Sequence, residues 1–82
     1  MESYQVCIWE GGFFVGTKAP DAEAVSRFLC GTFVTNGYTD RRVTVFHKGR
    51  MFEQYIRNAE HAHDVFGDPE TVERLVESAP CQ

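Results

Sequence analysis

The chain of 82 residues contains no apolar run that approaches the roughly 20 residues a membrane-spanning helix needs. No membrane role is expected. The first residues, Met1-Glu-Ser-Tyr-Gln5, lack the basic segment followed by an apolar one that marks a secretory leader. Cysteine is scarce: Cys7, Cys30 and Cys81 are odd in number and show no CxxC spacing. That argues against a disulfide framework and for reduced thiols, and together these absences point to the cytoplasm. Cys7 and Cys30 lie in apolar stretches and are expected to be small core residues, whereas Cys81 in the tail is the reactive thiol. Catalytic signatures are missing as well. There is no Gly-rich phosphate loop, no nucleophile elbow and no Cys–His set of known spacing. His47 stands alone at a turn. His61 and His63 are two residues apart, about 200° around a helix, and so cannot grip one metal ion. Glu60, His63 and Asp64 would share a helical side, which an exposed polar face explains. No enzyme, metal or cofactor is expected.

What is present suits one folded domain, residues 1–82. Apolar residues make up 43% and aromatics 13%, too many for a disordered chain. Arg42 to Ile56 suggests a hairpin: Val43 and Val45 alternate with Arg42, Thr44 and Phe46, and Lys48-Gly49 supplies a two-residue reversal. This register sets Phe46 opposite Met51, Val45 opposite Phe52 and Thr44 opposite Glu53. Tyr4 to Lys18 suggests another hairpin, turning at Gly11-Gly12 and pairing Trp9 with Phe14, Ile8 with Val15 and Val6 with Thr17. Gly16 then lies opposite Cys7 and leaves room for a neighbour.

Pro20, Asp21 and Glu23 fit the first turn of a helix whose apolar stripe is Val25, Phe28, Leu29 and Phe33; the alternative is a stop at Gly31, which would put Phe33 in the exit loop. Asn58 caps a helix with Ala59, Ala62, Val65 and Phe66, and Gly67 ends it. Asp68-Pro69-Glu70 restarts a last helix with the stripe Val72, Leu75, Val76 and Ala79, which Pro80 ends. The spacing of Met51, Phe52, Tyr55, Ile56, Ala59, Ala62, His63 and Phe66 also fits one long helix, so strand and helix compete over 51–56. An internal echo at an offset of 37 residues favours the strand. It aligns Val6 with Val43, Ile8 with Val45, Trp9 with Phe46, Gly12 with Gly49 and Phe14 with Met51. The expected fold is therefore α+β: a ββα-ββα pseudo-repeat with a final helix, giving an antiparallel four-stranded sheet covered by helices on one face.

Net charge is −4, all of it in the C-terminal third. There Glu60, Asp64, Asp68, Glu70, Glu73 and Glu77 outnumber Arg57 and Arg74. Arg41, Arg42, Lys48 and Arg50 cluster on the second hairpin. If Val6, Ile8, Val15, Val43, Val45, Phe52 and Ile56 face the helices, then Trp9, Phe14, Phe46 and Met51 share the other face and form an apolar patch. That patch suits a protein partner or a sheet-to-sheet homodimer, unless one of the last two helices roofs it over. Asp64, Glu70, Glu73 and Glu77 suit a partner with a basic surface; the simpler account is the wet side of amphipathic helices. The alternative is single-stranded nucleic acid stacked on the aromatics, with Arg41, Arg42, Lys48 and Arg50 on phosphates, although the negative net charge opposes it. Small, acidic, motif-poor single domains are similar in type to phage-encoded inhibitors of host machinery, anti-CRISPR proteins among them. No motif in the chain carries that likeness.

Overall fold

The computed structural model describes residues 2–81. Strands β1 (Tyr4–Glu10) and β2 (Phe13–Ala19) lead to helix α1 (Ala22–Asn36). Strands β3 (Arg41–His47) and β4 (Arg50–Ile56) lead to helices α2 (Ala59–Phe66) and α3 (Pro69–Glu77). The strands form one antiparallel sheet in the order β2-β1-β3-β4, the expected α+β arrangement of two hairpins. Each hairpin keeps its expected register, with Trp9 opposite Phe14 and Phe46 opposite Met51. Gly11 alone has positive φ in the first turn, at 62°, the pattern of a type II′ reversal. Lys48 at 51° and Gly49 at 76° are both positive, as a type I′ reversal requires.

The long helix over 51–66 does not form. Strand β4 runs to Ile56, and Asn58 then opens α2 by accepting from the His61 N–H at 2.9 Å. Helix α1 carries the whole expected stripe and does not stop at Gly31: it runs to Asn36 and is capped by Gly37, whose φ of 60° suits a left-handed cap. The magnitudes explain why. Glycine within a helix costs about 0.5–1 kcal/mol, whereas burying a Phe side chain gains about 1.5–3 kcal/mol. Phe33 is fully buried, which is possible because the helix continues to it. Pro20 sits just outside the helix. Asp21 is the cap, its Oδ1 accepting from the Ala24 N–H at 2.9 Å.

The core lies on one side of the sheet. Val6, Ile8, Val43, Val45 and Ile56 rise from the strands to meet Val25, Leu29 and Phe33 of α1, Ala62 and Phe66 of α2, and Val72 and Val76 of α3. None of these is more than 2% exposed. All three helices therefore cover the same face, and neither α2 nor α3 crosses to the other.

The internal echo is a structural repeat. Adding 37 to the bounds of β1 and β2 gives the bounds of β3 and β4, and adding it to Ala22 gives Ala59. The caps Asp21 and Asn58 correspond, as do the buried pairs Val25/Ala62 and Leu29/Phe66. Because β1 pairs β3 with Val6 opposite Val45 and Ile8 opposite Val43, the halves are related by a pseudo-two-fold axis between the central strands. Helix α3 has no counterpart in the first half.

Candidate functional site

The pairings fix what the helix-free face presents. Three rows cross the four strands: Phe14–Trp9–Arg42–Tyr55, then Gly16–Cys7–Thr44–Glu53, then Lys18–Gln5–Phe46–Met51. The pseudo-two-fold exchanges the outer rows. Trp9, Phe14, Phe46 and Met51 thus share this face as expected, but as two pairs at opposite corners with the small middle row between them.

The first row is the more developed. Phe14 and Tyr55 are 52% and 66% exposed. Trp9 is half-buried, its ring centroid 4.7 Å from that of Phe14 at an interplanar angle of 45°. The Arg42 guanidinium lies over the indole, 4.7 Å from its centroid, and also reaches Glu53 at 3.1 Å. The indole Nε1–H donates to Thr44 Oγ1 at 3.1 Å. Trp9 is therefore held in place by three neighbours. Its backing also explains why Thr44 is 3% and Cys7 4% exposed although no helix covers them. Cys7 is buried as expected, but in the middle of the open face and outside the core beneath the helices. The room opposite Cys7 is filled by Phe14: a Cβ on Gly16 would stand 3.2 Å from the Phe14 ring and 3.0 Å from the Val6 carbonyl.

Tyr55 and Lys18 also belong to this face, although no motif in the sequence marks them. The signal lay in the hairpin register, which puts Tyr55 opposite Arg42. The competing helical spacing of 51, 52, 55 and 56 obscured it.

The four bases of the second hairpin do not converge. Arg42 is on the open face. Arg41 is on the helix side, bound to Glu10 at 3.3 Å and lying over the Tyr38 ring at 4.8 Å. Arg50 is also on that side, donating to the Ala79 carbonyl at 2.7 Å. Lys48 occupies the turn, at the end of the sheet away from Arg41. The acids lie elsewhere again: Asp64 is exposed on α2, and Glu70, Glu73 and Glu77 are exposed on α3, in the helix layer. One flat partner can cover the aromatic rows or the acidic helices, but not both.

A cleft of about 430 Å³ opens where α1, α3 and the second hairpin turn meet, lined by Tyr4, Asp21, Glu23, His47, Lys48 and Glu73. Tyr4 and His47 stack there at 3.8 Å, tilted by only 7°. The Tyr4 phenol is pushed above its ordinary value, first by burial and then by the negative charges of Glu73, Glu77 and Asp21. Burial likewise raises the Cys30 thiol, against a lowering hydrogen bond from Ser26. Among the described residues, no three His, Cys, Asp or Glu side chains converge as metal ligands, and no helix is long and apolar enough to cross a membrane.

Compared with protein-family models, curated proteins and solved structures, the chain matches none. Function has to be read from the geometry.

Proposed function

We propose that the helix-free face of the sheet docks another protein, and that the chain works by occupying this partner rather than by catalysing a reaction. The supporting observation is the row Phe14–Trp9–Arg42–Tyr55, which crosses all four strands with two exposed aromatics around a braced Trp–Arg pair. Trp, Tyr and Arg are the side chains that most often dominate binding energy when a partner covers them. A face already held by internal contacts loses little entropy on docking. Occupying a host machine in this way is how a phage-type inhibitor of the expected kind would act.

A second reading concerns the other side of the molecule. The field of Glu73, Glu77 and Asp21 at the Tyr4 cleft favours a basic segment from a partner lying along α3. Single-stranded nucleic acid is the weaker fit. Arg42 and Phe14 already pack on the Trp9 ring, and Arg41 and Arg50 are engaged on the helix side.

The test is affinity capture with mass spectrometry on three proteins: wild type, Trp9→Ala/Tyr55→Ala, and Glu70→Lys/Glu73→Lys/Glu77→Lys. The open-face variant is expected to lose a prey that the lysine variant keeps. The reverse pattern moves the contact to α3. Salt-dependent binding of a labelled single-stranded oligonucleotide, lost in Trp9→Ala/Tyr55→Ala, would replace the proposal with the nucleic-acid reading.

A further inference from the structure

The two edges of the sheet are equivalent under the pseudo-two-fold but are finished differently. On β4, the Met51 N–H donates to the Pro80 carbonyl at 3.3 Å, and Arg50 and Cys81 form an antiparallel bridge. The C-terminal tail thus lies along this edge as a short extra strand. Subtracting 37 from Arg50 and Met51 gives Phe13 and Phe14 on β2, where no such segment lies among the described residues. Met51 turns its N–H outward, so Phe14, at the same place in its hairpin, does too. The alternation of antiparallel pairs adds Gly16 and Lys18.

The bare edge is also the more apolar. Phe13, Phe14 and Val15 are 82%, 52% and 46% exposed, half of the large apolar side chains left exposed among the described residues. Phe13 and Val15 project toward the helix side and Phe14 toward the open face, so both flanks of the edge are apolar. Residues 11–20 carry one charge, Lys18, in a chain of net charge −4. Natural edges usually carry charges, a proline or a cover against pairing, and Lys18 alone does little here.

We infer that β2 is an assembly edge, and that its occupant is the β2 strand of a second copy, paired antiparallel about a two-fold axis at Gly16. This is the one register that overlaps all seven residues, setting Phe13 against Ala19, Phe14 against Lys18 and Val15 against Thr17 of the other copy. The two lysines stay apart, each beside a phenylalanine ring. The outward groups of Phe14, Gly16 and Lys18 face the same three residues, so the hydrogen-bonding parity matches. The area is in the right range. A buried Phe removes about 150–250 Å² from water, so Phe13 and Phe14 of both copies, at their present exposures, supply at most roughly 400–670 Å². That is about a third of what a stable interface needs, before Val15 and the strand backbones are counted. The dimer joins the two helix-free faces into one eight-stranded surface. It replaces the sheet-to-sheet dimer expected from the sequence; it covers Phe14 at the margin of the open face but leaves Trp9, Arg42 and Tyr55 clear, so it stands whether or not those three dock a partner.

The test is analytical ultracentrifugation from about 1 µM to about 1 mM under reducing conditions, together with amide hydrogen exchange at both ends of the range. A mass of two chains is expected at the upper end, with the amides of Phe14, Gly16 and Lys18 slowed as concentration rises. Phe13→Lys/Val15→Lys, at positions already exposed, is expected to weaken association at least about tenfold. Tyr55→Ala, on the far edge strand, should leave it unchanged. A single-chain mass at the highest concentration overturns the inference. So does a dimer whose three amides still exchange freely, or one indifferent to the lysines.

Discussion

Tyr4 shows how one side chain reports on its surroundings. It is 7% exposed, stacked on His47, and near three carboxylates that disfavour its ionised form. Because the folded state holds its proton more tightly than the unfolded chain does, its contribution to stability is complete below the unfolded phenol value near 10. It is lost as pH rises through the higher folded value. The urea midpoint is therefore expected to fall on going from about pH 9 to about pH 11. Tyr4→Phe should remove part of that decline, and an unchanged slope would show that neither burial nor the nearby carboxylates hold the proton on this ring. Trp9 illustrates the complementary case, an aromatic held by a cation, a hydroxyl and a second ring on a face with no helix over it. Alternation placed it there and the hairpin register gave it Phe14; Arg42 and Thr44 come from the pairing of β1 with β3, which no local pattern encodes.

At the scale of elements, local chemistry accounts for most boundaries. The two glycine-containing turns set both hairpin registers, and Asn58, Asp68 and Pro69 set the starts of α2 and α3, all legible in the sequence. The end of helix α1 was legible only as one of two alternatives, because a glycine in its interior looks like a stop and the burial that outweighs it belongs to tertiary packing. Gly31 meets nothing within 4 Å of the position its Cβ would take, and it has no need of positive φ. Gly31→Ala is accordingly expected to stabilise the protein by about 0.5–1 kcal/mol, measured by denaturant unfolding. A loss of stability would mean that α1 breaks at this point. The open-face pairs were legible from the repeat. Their separation into opposite corners was not, since it depends on β1 and β3 running antiparallel at the centre. The basic cluster failed for a related reason. Neighbours in sequence along a strand point to opposite faces, so Arg41 and Arg42 part company at once.

Taken whole, the molecule is a pseudo-symmetric sheet made asymmetric by the C-terminal segment, which the first half lacks. Helix α3 adds Glu70, Glu73 and Glu77, and the residues after it bridge the start of one edge strand at Arg50 and Met51. The open face and the acidic layer are separate surfaces, so disabling one should leave the other working. The tail strip along Arg50 and Met51 has a consequence for how many copies can join. A ribbon that could add strands at both margins would grow without limit, whereas one already hemmed on one margin stops at a closed pair. The last residues would then act as a terminator of fibre growth. Cutting the chain after Ser78 should free the second margin, and sedimentation is expected to show species larger than two chains where the intact protein shows none.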